Sequence, residues 1–185
     1  MSQIASRGQL RMSFLRYALV TVPAILLLGT ISGRASGSGY GNPWFDALIK
    51  PSIIPPSWVF GVAWTILYIL LGLVLAMILH AHGARRRLLV GLFIFQLALN
   101  FAWSPLFFAW HEVGWALALI VAMLAVTAAL IVLLCRIRPA AAWLMMPYAA
   151  WLVFAGLLTW QVDTLNPDAR DLVPGSVGTD IELEL

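Results

Sequence analysis

Charge is scarce in this chain. Of 185 residues only 10% are Asp, Glu, Lys or Arg, while 62% are hydrophobic; a soluble domain carries about a quarter charged and about half apolar residues. A fold built in water is thereby excluded, and the chain belongs in a bilayer. Cysteine is scarcer still. Cys135 stands alone, so no intramolecular disulfide and no thiolate cluster can form, and it reads as a small apolar filler at a helix end. His80 and His82 flank an arginine-rich loop and His111 sits beside Glu112, none of them at a ligand spacing such as His-Glu-x-x-His. No protein-built metal site is expected. Gly-rich phosphate loops, a nucleophile elbow and a buried carboxylate pair are also missing, which removes the usual signatures of nucleotide, hydrolase and acid–base chemistry.

Long apolar runs are what the chain has in quantity. Five of about 20 residues each cover 12–31, 57–79, 88–109, 113–135 and 140–162, the length a helix needs to cross a bilayer. Lipid offers backbone groups no partners, and no segment alternates as a barrel strand does, so an all-α, five-transmembrane-helix bundle is expected. Pro23 predicts a kink in the first span. Arg7, Arg11 and Arg16 ahead of the apolar run that begins at Tyr17, with Gly33 to Gly37 after it, also fit a secretory leader.

With five spans, Arg7, Arg11, Arg16, Arg85, Arg86, Arg87, Arg136 and Arg138 share one side, and the other holds Arg34, Lys50, Arg170 and every acidic residue. The positive-inside rule then makes the amino terminus cytoplasmic in an inner membrane, with the 32–56 loop and the tail outside. The net charge of +3 reflects topology, and a nucleic-acid partner has no support. Arg85 to Arg87 suit anionic lipid.

One domain is expected at 12–167, between an amino-terminal segment, 1–11, and a disordered acidic tail, 168–185. The 32–56 loop is too long for a turn, and Tyr40, Trp44 and Phe45 argue that it packs, with a short helix between Asn42 and Lys50. Ala118, Ala122, Ala125 and Ala129 form a small-residue face read as internal packing, and Gly91, Ala98 and Ala102 a second one. Through such faces a second copy of the chain is a candidate partner.

Three motifs follow in order. Lys50-Pro51, Pro55-Pro56, Trp58, Phe60, Trp64 and Tyr68 run from a proline-stiffened loop into an aromatic helix; Gln96, Asn100, Trp103 and Phe108 lie in the third span; Pro147, Tyr148, Trp151 and Ala155 lie in the fifth, followed by Leu165-Asn166. Over roughly residues 15 to 167 the chain resembles the TspO/MBR family of tryptophan-rich sensory and translocator proteins. The resemblance implies a retained first helix, in an inner, outer or organellar membrane.

Counting about 1.5 Å per residue from the outer boundary places Trp64, Asn100, Trp103, Trp151 and Ala155 in one layer, roughly 10–15 Å deep. Phe60, Trp64 and Tyr68 share a helix face, as do Gln96, Asn100 and Ser104, and Tyr148, Trp151 and Ala155. Trp58, Trp110, Trp115, Trp143 and Trp160 sit near span ends and read as interfacial belt residues. Trp64 and Trp151 are too deep for that. Asn100 is either an interhelical hydrogen-bonding residue or a ligand contact, since an amide in lipid faces the bundle interior.

The resemblance implies that Trp64 and Asn100 contact ligand polar groups and that Tyr68, Trp151 and Ala155 line the pocket; Trp103 and Tyr148, beside them on the same helices, are further candidate ligand contacts, and Trp44, Pro51, Pro55 and Pro56 of the proline-stiffened loop read as a lid. It implies flat apolar ligands: porphyrin or haem bound noncovalently, and isoquinoline-like molecules. Thr159 stands where the family places asparagine, and Trp160 where animal members carry the tyrosine of a proposed cholesterol motif, so cholesterol binding is not expected. Three functions fit: a receptor or sensor that modulates tetrapyrrole levels, an enzyme degrading porphyrin by light-driven oxidation with Trp64 and Trp151 as redox participants, and a transporter. No buried ionisable pair or repeated half supports transport, and no general acid or base supports conventional catalysis.

Overall fold

The computed structural model describes residues 7–81, 83 and 85–172, with side chains from residue 12 onward. Five long helices carry the fold: α1 (Arg7–Ala35), α3 (Ser57–His80), α4 (Arg86–Ser104), α5 (Val113–Cys135) and α6 (Pro139–Leu165). A one-turn helix, α2 (Pro43–Ala47), interrupts the long loop, and a 3₁₀ turn, Ala169–Asp171, follows α6. All five long helices are apolar enough to cross a bilayer, and no strand occurs among the described residues. Helix α1 passes Pro23 without interruption.

Helices α1 and α6 run past their apolar runs into polar residues at their ends, α5 keeps the bounds of its run, and α4 stops at Ser104, where a π turn takes over. Two local devices shape the end of α4. Pro105 opens a π-helical turn, Pro105–Ala109, in which Trp110 N–H reaches back to Pro105 O at 3.0 Å. His111 then takes φ 58°, a left-handed conformation unusual for a residue with a Cβ, and reverses the chain into α5.

Helix α1 lies against α3, α5 against α6, and α4 bridges to both pairs. Close approach of α1 and α3 rests on two glycines. A Cβ on Gly72 would meet Val22 Cα at 2.6 Å, and one on Gly29 would overlap the Tyr68 ring. Thr21 adds a hydroxyl donation to Gly72 O at 2.7 Å, so the seam combines backbone contact with a hydrogen bond, the two forces left where lipid is as apolar as the side chains.

The alanine face of α5 is not internal. Ala118, Ala122, Ala125 and Ala129 are all exposed, while Ala116, Ile120, Met123, Thr127, Leu130 and Leu134 form the buried stripe. The larger side chains fill the space between α4 and α6, which leaves the small ones outward. Gly91, Ala98 and Ala102 on α4 are exposed as well. So are Trp58, Trp110, Trp115, Trp143 and Trp160, near the helix ends where the sequence places a belt.

The chain beyond α6 departs from the expected disorder over residues 168–172. Ala169 is buried, and its carbonyl accepts the Trp44 indole N–H at 2.6 Å. The rest of the expected tail, and the segment 1–6, lie outside the described residues.

Candidate ligand cavity

A cavity of about 360 Å³ opens between the loop-side halves of the helices, under the 36–56 loop. Helical spacing supplies its walls. Phe60, Trp64 and Tyr68 recur every fourth residue on α3, and Trp151, Ala155, Leu158 and Thr159 share the inward face of α6. Trp103 and Ser104 come from α4, Phe107 and Phe108 from the π turn, Ile120 and Met123 from α5, and Leu26, Gly29 and Thr30 from α1. Gly29 matters twice here, since the ring it admits is the Tyr68 wall itself.

The aromatic rings form a connected lining. Trp64 lies 5.2 Å from Tyr68 and 6.2 Å from Trp151, and Trp151 reaches Phe60 at 6.1 Å and Phe154 at 5.5 Å. Across the cavity Trp103 stacks on Phe107 at 5.1 Å. The indole nitrogens of Trp103 and Trp151 are buried within this wall rather than open to the cavity, and neither has a hydrogen-bond partner among the described residues.

Behind the wall runs a polar chain. Tyr68 Oη donates to Asn100 Oδ1 at 3.2 Å, and Asn100 Nδ2 and Gln96 Nε2 both donate to Tyr148 Oη, at 3.0 and 2.6 Å. Tyr148 Oη in turn contacts Met123 Sδ at 3.8 Å. The chain meets the cavity at Tyr68 and Met123, whereas Asn100, Gln96 and Tyr148 are buried behind it.

Of the expected site residues, the structure gathers Trp64, Tyr68, Trp103, Trp151 and Ala155 around one cavity. Asn100 and Tyr148 are placed in the polar chain, with their polar groups engaged by other helices. The roof is built differently from the expected lid. Tyr40, Phe45 and Ile54 face the cavity, while Trp44, Pro51, Pro55 and Pro56 are not on its wall. Trp44 instead anchors the loop: besides Ala169 it stacks on His111 at 4.3 Å, nearly parallel, and packs on Phe107 at 5.4 Å. Burial lowers the affinity of His111 for its proton, a backbone hydrogen bond with Phe108 partly opposing it.

Asn166 makes the second anchor. Its amide exchanges two hydrogen bonds with the Ile49 backbone, at 2.8 and 2.9 Å. Motif reading missed the contribution of α1, of the Phe107-Phe108 pair and of Met123. Nothing in a run of apolar residues says which of them faces a void.

The family model of the TspO/MBR family matches residues 20–165. The translocator protein of Sus scrofa is 42% identical over 146 residues, covering 77% of this chain and 86% of the relative. The human translocator protein is 38% identical, covering 73% and 82%. Protein CrtK of Rhodobacter capsulatus is 30% identical, covering 83% and 98%. Tryptophan-rich proteins TspO from Archaeoglobus fulgidus and Chlorobaculum tepidum are similar at 33% and 35%. With five apolar helices around an aromatic cavity and these relatives along most of its length, the chain is an integral multi-pass membrane protein and belongs to the TspO/MBR family.

Proposed function

We propose that this protein is a membrane receptor that holds a tetrapyrrole, porphyrin or haem, in the aromatic cavity and thereby modulates its level. The observation that carries the reading is the lining itself: the rings of Phe60, Trp64, Tyr68, Trp103 and Trp151 enclose an otherwise apolar space under the loop. A flat, largely apolar ligand buries its faces against such rings and needs few polar contacts to hold it. Among the described residues no histidine lines the cavity, and Met123 is engaged by Tyr148. The ring is therefore held by its faces and edge, without imidazole ligation of an iron.

The relatives are named as translocator or sensory proteins, which supports sensing or translocation over catalysis. The arginine-rich end is assigned to the cytoplasm, as its charge requires in an inner membrane. The test is a titration of purified protein with protoporphyrin, in darkness and under illumination, with product analysis. Saturable binding weakened by Trp64→Ala and Trp151→Ala, with no product beyond that of free porphyrin in light, is the expected result. Product in excess of the protein-free control, lost in Trp151→Phe while binding persists, makes the protein a photo-oxidative enzyme. Absence of saturable binding refutes the receptor.

A further inference from the structure

The aromatic cavity does not end at its roof. An outer hollow adjoins it and shares Thr30, Gly33, Ser38 and Tyr40 with it. Its floor is the last turn of α1 and its rim the glycine-rich turn, where Gly37, Gly39 and Gly41 all take positive φ. Arg34, exposed on the last turn of α1, is its one cation.

The other cations described at this end are engaged. Lys50 lies over the rings of Phe45 and Tyr40, at 5.1 and 6.0 Å, and donates to Asp46 O at 2.9 Å. Arg170 pairs with Glu112 at 3.0 Å. Arg34 enters no ion pair and no side-chain hydrogen bond among the described residues. Around it, Asn42 Nδ2 donates to Gly37 O and Phe108 O, and the Asp46 carboxylate accepts from Gly41 N. An unengaged guanidinium therefore stands where an apolar cavity opens to water.

We propose that Arg34 is the anion-recognising residue of this site, receiving a carboxylate at the edge of a ligand whose ring lies against Trp64 and Trp151. The inference rests on the receptor reading and narrows it to amphiphilic acids. Apolar rings without an acid arm fill the cavity but gain nothing from the hollow.

Protoporphyrin and its dimethyl ester share a ring and differ in charge. Wild type is expected to prefer the free acid about two- to fivefold at low salt, the range of an exposed ion pair, with the preference fading as salt shortens the screening length. Arg34→Gln should remove the preference by weakening the acid alone. Arg34→Lys should keep part of it, and Arg170→Gln all of it. Equal affinity of acid and ester in wild type, or an equal loss of both in Arg34→Gln, overturns the anion site and leaves the receptor standing. Failure of both compounds to bind wild type overturns the two together. The salt dependence of wild type carries the test should Arg34→Gln fold poorly.

Discussion

A single phenol hydroxyl holds three helices together. Tyr148 Oη on α6 accepts from Gln96 and Asn100 on α4 and contacts Met123 on α5, and all four residues are buried. Tyr148→Phe leaves two amide donors unpaired and should cost about 1–3 kcal/mol, read as a lower melting temperature in detergent. Trp64→Ala should act on binding instead, weakening protoporphyrin roughly five- to more than one-hundredfold with the bundle intact. Trp115→Ala, on the exposed surface, should change neither property. The aromatic half of the cavity wall was legible because Phe60, Trp64 and Tyr68 recur at helical spacing on one span and Trp151 and Ala155 on another. The amide half was not. Spacing puts Asn100 on an inward face, but whether that face meets a void or a hydroxyl depends on where Tyr68 and Tyr148 arrive from two other helices.

Among elements, the α1–α3 seam tolerates least. Gly72→Leu should separate the two helices, since its Cβ would strike Val22 backbone, and the expected readout is loss of folded protein in detergent. Gly61, whose Cβ would meet nothing within 4 Å, is the matched control. At the roof, His111 gives a pH dependence with a definite sign. Its affinity for a proton is lower in the fold than the ordinary value near 6.5, so the roof has its full stability above that pH and loses stability as pH falls toward the folded value. Amide exchange of residues 43–48 should therefore quicken on acidification, and His111→Gln should flatten the profile. Existence and order of the long helices followed from the apolar runs alone. The π turn and left-handed His111 did not, because they answer to Pro105 meeting a tight reversal.

At the scale of the whole molecule, the charge asymmetry predicts that a reporter fused after Asp180 lies opposite one placed at Gly83, the first outside and the second in the cytoplasm of an inner membrane; the reverse result would overturn the orientation. The outward alanines of α5 show what the sequence withheld: a small-residue stripe marks a face, and only the packing of α4 and α6 against the opposite stripe decides which face is internal. The roof anchors carry a different consequence, one of timing. Trp44 bonds to a residue 125 positions later, and Ile49 to one 117 positions later, so the loop is synthesised early and waits for the end of the chain. All five spans can enter the bilayer before the cavity has a cover. A chain stopped after Leu165 should insert normally yet present residues 36–56 to protease, which makes closure of the cavity the closing event of biosynthesis.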